Sequence, residues 1–84
     1  MSYEKVEQAA SIIIGTKQTA RAIETNSVSE VIVARDADAR VVGKIISLCK
    51  DKGLPVHYVD SMRRLGKACG IDVGTAVVAV KYHM

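Results

Sequence analysis

The chain has no tryptophan and no phenylalanine, and only three tyrosines among 84 residues. That shortage argues against general single-strand binding, which stacks bases on aromatic rings. It has one proline, Pro55, and no stretch biased enough to serve as a linker or a disordered tail. No internal repeat is visible. The longest apolar runs, Ile12 to Ile14 and Ala76 to Val80, fall far short of the roughly 20 residues that cross a bilayer. The opening MSYEKVEQAAS is polar and acidic, so no signal peptide is expected and a cytoplasmic location is. There are two cysteines, Cys49 and Cys69, with no CxxC pair. They are expected to be free thiols packed as small hydrophobes. Adding His57 and His83 gives four potential zinc ligands without any recognised spacing, so no metal is expected.

What is present suits one compact domain over residues 1–84. The composition is 49% hydrophobic, and a chain of this length buries roughly 60 to 65% of the surface its unfolded form would expose. Net charge is +3, but its distribution is uneven. Residues 15 to 23 hold Lys17 and Arg21 without an acid, and residues 61 to 70 hold Arg63, Arg64 and Lys67 without one. Of twelve cations these stretches take five, leaving seven against nine carboxylates elsewhere, a net of −2. Such segregation fits a chain with one polyanion-facing side.

Periodicity orders the elements. Tyr3, Val6, Ala9 and Ala10 recur at helical spacing after Ser2, a cap residue, and predict a helix over about residues 3–10. Three β-branched isoleucines ending at Gly15 predict a short strand. Thr16 is expected to cap the next helix, with Ala20, Ala22 and Ile23 inward and Lys17, Arg21 and Glu24 outward. Val28 and Val31 to Ala34 read as a strand buried on both faces. Asp38 should cap a helix from about 39 to 52, whose stripe is Val41, Val42, Ile45, Ile46, Leu48 and Cys49 and whose stop is Gly53. Val56 to Val59 follows as a strand. Ser61 should cap a fourth helix with Met62, Leu65, Ala68 and Cys69 inward, ended by Gly70, before a last buried strand from Ala76 to Val80. Strict alternation of helix and strand predicts an α/β domain with helices on both faces of a four-stranded sheet.

IIIGTKQTARAIE, VIVARDADA and DSMRRLGKACGIDVGTAVVAV, in that order and at that spacing, resemble the L7Ae family of kink-turn RNA-binding ribosomal proteins, including its short bacterial members. The likeness covers residues 3 to 81, and LGKACG followed by an apolar loop is its strongest part. It implies a three-layer α/β/α sandwich with a mixed sheet, of the L30e-like kind, and binding to structured RNA that contains a kink-turn. In the family, a glycine at a strand end precedes a polar helix start that enters the major groove at tandem sheared G·A pairs. Gly15 and Thr16 match that start. The common archaeal and eukaryotic pattern continues with Asn, Glu and a later Lys; here stand Lys17, Gln18 and Arg21. Lys and Arg suit the O6 and N7 acceptors of guanine, and Gln can both donate and accept. The family's second contact is an apolar loop over a splayed nucleotide, matched by Val73, Gly74, Thr75 and Ala76. Asp38 and Met62 match further positions near that nucleotide.

Residue chemistry is compatible with this likeness. Lys17, Gln18 and Arg21 fall on one side of a helix start whose free amides and dipole attract phosphate. Arg63, Arg64 and Lys67 are assigned to phosphates from charge alone. Asp36 and Asp38 read as turn and cap residues rather than a metal site. No nucleophile elbow, phosphate loop or paired-acid motif is present, so an enzyme is not expected and no cofactor is implied. The expected partner is kink-turn RNA, in a ribosomal or other setting, bound by a monomer, with no DNA or membrane partner. The alternative is a small protein-interaction adaptor without RNA specificity.

Overall fold

A computed structural model describes residues 3–8 and 11–81. Along the chain run α1 (Tyr3–Gln8), β1 (Ile12–Ile14), α2 (Thr16–Glu24), β2 (Val28–Ala34), α3 (Ala39–Lys52), β3 (Val56–Val59), α4 (Met62–Ala68) and β4 (Val77–Lys81). The eight expected elements are all there. The Ser2 cap and the inward Ala9 and Ala10 expected for the first helix lie outside the described residues.

The strands form one mixed sheet in the order β1-β4-β2-β3. β4 runs antiparallel to both β1 and β2, whereas β2 and β3 are parallel. β1, β2 and β3 therefore all point to the same end of the sheet, where β4 begins. Register fixes this: Ile14 pairs with Val78, Val33 with Val77 and Ala34 with Val59.

Strand side chains alternate between faces, and each face has its own core. Val31, Val33, Val77 and Ala79 pack with Ala22 and Ile23 of α2 and Ile45 and Cys49 of α3. Ile32, Ala34, Val78 and Val80 pack with Val6 of α1 and Leu65 of α4. This is the α/β/α sandwich, and burial from both sides explains the unbroken apolar run VIVA in β2.

Asp38 caps α3 by accepting the Arg40 N–H at 2.8 Å, and Gly53 closes it in the left-handed conformation at φ 68°. Ser61 caps α4 through the Arg64 N–H at 3.2 Å. The start of α2 differs from expectation. Its cap is Gly15, at φ 104° and ψ 154°, and Thr16 is already helical, so no side chain bonds the first-turn amides. The hydroxyl of a residue inside the first turn is not placed to accept from that turn's own amides. Thr19, not singled out by the sequence, is fully buried on the inner side of α2. Val41 lies at the edge of the α3 stripe and is 38% exposed.

Candidate nucleic-acid interface

Because β1, β2 and β3 end together where β4 starts, four connections crowd one end of the sheet. They are Gly15 leading into α2, Arg35 to Asp38 leading into α3, Asp60 and Ser61 leading into α4, and the 71–76 loop leading into β4. Ends of strands are where open α/β sheets present ligand-binding groups.

Strand order decides which connections touch. β1 neighbours β4, and the Gly15 N–H donates to the Val77 carbonyl at 3.1 Å. The start of α2 and the 73–76 loop, distant in sequence, are thereby adjacent. Gly15 adopts a conformation that L-residues rarely enter, and a Cβ there would come within 3.0 Å of Gln18 Oε1. Lys17, Gln18 and Arg21 line one shallow depression on the outside of α2, and all three are exposed. The uncapped amides and the positive end of the helix dipole face the same region.

The amide at the start of α4 is treated differently. Its first N–H, on Met62, donates to Asp36 Oδ1 at 2.8 Å, so a carboxylate already occupies that position. The Met62 carbonyl accepts the Thr75 N–H at 3.1 Å, and the Thr75 hydroxyl donates to the Val77 carbonyl at 3.0 Å. Thr75 is buried, whereas Val73 projects with 69% of its surface exposed. Asp38 is exposed at the end of the Arg35 to Asp38 connection, its carboxylate engaged by the Arg40 N–H.

The three cations assigned from charge lie on α4, on the opposite face of the sheet from α2. They are not equivalent. Arg64 pairs with Asp60 at 3.5 Å and lies 4.9 Å from the centre of the Tyr3 ring. Lys67 borders a hollow shared with Glu4 and Glu7 of α1. Arg63 is exposed and has no ion-pair partner among the described residues. Asp60 also accepts the Tyr3 hydroxyl, a bond that holds its carboxyl below the ordinary carboxylate range, with Arg64 adding to the effect. Removal from water, together with that bond, pushes the Tyr3 phenol up.

Among the described residues no group of three or more His, Cys, Asp or Glu side chains could hold a metal ion, and no helix is long and apolar enough to cross a membrane. Both cysteines are free.

The model of the ribosomal protein L7Ae/L30e/S12e/Gadd45 family matches residues 2–83. The chain belongs to that family. An RNA-binding protein of Halalkalibacterium halodurans is 58% identical over 81 residues, 96% of this chain and 99% of the relative. One from Bacillus pumilus, also named an RNA-binding protein, is 55% identical over 80 residues, covering 95% of this chain and 98% of its own. Among solved structures, the Giardia lamblia 15.5kD RNA binding protein superposes with a TM-score of 0.83 at 30% identity, over 96% of this chain and 68% of that one. A Bacillus halodurans protein of unknown function gives a TM-score of 0.83 at 26% identity, over 95% and 80%.

Within this L7Ae-family scaffold, three features escaped the sequence reading. Arg40 and Lys44, four apart on α3, flank Thr16 across a groove between α2 and α3. Their i, i+4 spacing was the available signal, but nothing local says which helix lies opposite. The Asp36 bond to Met62 joins two elements and has no signature in sequence. Arg35, 5.3 Å from the centre of the Tyr58 ring, likewise depends on β2 and β3 being neighbours.

Proposed function

We propose that the chain is a non-catalytic, single-domain RNA-binding protein that recognises and stabilises kink-turns in structured RNA, such as ribosomal RNA or a riboswitch. The observation that carries this reading is the contact of Gly15 with Val77, which sets the polar start of α2 beside the 73–76 loop. Family membership and relatives named RNA-binding proteins support it. A regular A-form helix hides its base edges in a deep, narrow groove, and a sharp kink opens that groove locally. Lys17, Gln18 and Arg21 then face the edges of the tandem sheared G·A pairs, and Val73 with its loop covers the splayed nucleotide. Gly15 and Thr16 permit close approach of the backbone, Met62 borders the loop through its carbonyl, and Asp38 is assigned to the splayed nucleotide from the family likeness. Arg63 and Lys67 attract phosphate at longer range.

Catalysis of a covalent step is not required. Bound protein favours the bent RNA because only that form offers both contacts at once, a shift of population without a cofactor. The protein works as a cytoplasmic monomer over residues 1–84, on or off the ribosome. A gel-shift titration at fixed salt tests the proposal with a kink-turn duplex and a copy whose tandem G·A pairs are made Watson–Crick. The copy is expected to bind more weakly by roughly 1 to 3 kcal/mol for each replaced pair. Equal affinity for the two would overturn the kink-turn reading.

A further inference from the structure

Gly66 lies inside α4, where glycine weakens a helix relative to alanine. Its φ is not positive, so backbone conformation does not demand glycine. Space does. A Cβ at Gly66 would stand 1.9 Å from the Val73 carbonyl oxygen and 3.0 Å from its carbon, both backbone atoms. Gly74 has the matching constraint from the other side, since a Cβ there would stand 3.2 Å from the Met62 carbonyl carbon and oxygen. The loop before β4 is thus pressed onto α4 at two points, one that leaves no room for a side chain at Gly66 and one that is tight at Gly74.

The same loop is held by hydrogen bonds that begin at Asp36. Its carboxylate fixes the Met62 N–H at 2.8 Å, and the carbonyl of Met62 in turn fixes the Thr75 N–H at 3.1 Å. Asp36 therefore anchors the residue that anchors the loop, although its own side chain is exposed and touches none of residues 73–76 by hydrogen bond. Val73 is left projecting into solvent from a loop whose neighbours are clamped.

We infer that Asp36 and Gly66 are positioning residues that set RNA specificity by fixing the 73–76 loop, an inference that rests on the kink-turn reading. Neither needs to touch RNA. Together they make the loop a preformed surface, so that bent RNA is met without first ordering the protein.

Three variants test this. Asp36→Ala removes the acceptor, Asp36→Asn removes the charge but keeps an acceptor oxygen, and Gly66→Ala inserts the clashing methyl group. Asp36→Ala and Gly66→Ala should bind kink-turn RNA roughly tenfold more weakly, the equivalent of one charge-assisted hydrogen bond, and keep the wild-type salt slope. Asp36→Asn should retain most of the wild-type affinity. In the free Asp36→Ala protein the Thr75 amide should exchange with solvent at least roughly tenfold faster while Ile32, in the sheet centre, keeps its protection. If Gly66→Ala does not fold, Asp36→Ala at the surface still decides. Unchanged Thr75 exchange, or undiminished discrimination in Asp36→Ala, overturns the positioning inference alone. A wild-type protein that fails to discriminate overturns the kink-turn reading and this inference with it.

Discussion

Lys17, Gln18 and Arg21 owe their common direction to helical spacing, and Gly15 owes its place to a φ of 104°. The helical spacing was displayed in the sequence, whereas the Gly15 conformation was not, since Thr16 was the expected cap. The prediction at this scale separates reading from attraction. Lys17→Ala or Arg21→Ala should cost about 1 to 3 kcal/mol of kink-turn affinity and reduce discrimination against the Watson–Crick copy. Arg63→Ala should weaken both RNAs alike and lower the magnitude of the salt slope by about 0.7 to 0.9, one phosphate contact. Titrations of both RNAs across a salt series measure the difference. Loss of discrimination in Arg63→Ala would show that the division is wrong. The three cations of α4 differ in structure: Arg64 has Asp60 at the local i, i+4 spacing, whereas Tyr3, Glu4 and Glu7 reach the helix from α1, far away in sequence.

At the scale of elements, α1 is a short helix, and six residues do not form a stable helix alone in water. It is held by Val6 in the core and by the Tyr3 hydroxyl, which donates to Asp60 and accepts the Ser61 N–H at 3.3 Å. Asp60 has its pKa depressed in the fold, first by that hydroxyl and further by Arg64. A depressed carboxyl stabilises the fold fully above its unfolded value of about 4, and the stabilisation disappears as pH falls through the lower folded value. Asp60→Asn should therefore show a flatter decline of the urea midpoint below about pH 4 than the wild type. Parallel declines in the two proteins would remove Asp60 from the account. The helix caps at Asp38 and Ser61 were legible, because capping is a local exchange between a side chain and amides two or three residues on. The Tyr3 contact was not, since it joins residues 57 positions apart.

For the molecule as a whole, the two cores are joined by a single sheet whose central strands are covered on both faces. Cys49 belongs to the core under α2 and α3 and is completely buried, and burial pushes its thiol up. Cys69 is half-buried at the end of α4, its thiol also raised by burial. A thiol reagent should label Cys69 through local opening, and Cys49 only as fast as the whole domain unfolds. Following the two cysteines by mass spectrometry in increasing urea checks this. Labelling of Cys49 with no dependence on urea would mean that the α3 side opens independently of the rest.

The sequence by itself determined the element order, most boundaries, the two-sided burial of β2 and the stripes of α3 and α4, because each follows from hydrophobic period, β-branching and capping within a few residues. It also carried the family likeness through three ordered motifs. Tertiary structure decided the strand order, and with it the meeting of Gly15 with Val77 and of Asp36 with Met62. Hydrogen bonds between strands are open to any strand with the right pattern, so local sequence does not specify the neighbour. Only the closure of both cores at once, one over each face, selects β4 to lie between β1 and β2 and brings four separate connections to one end of the sheet.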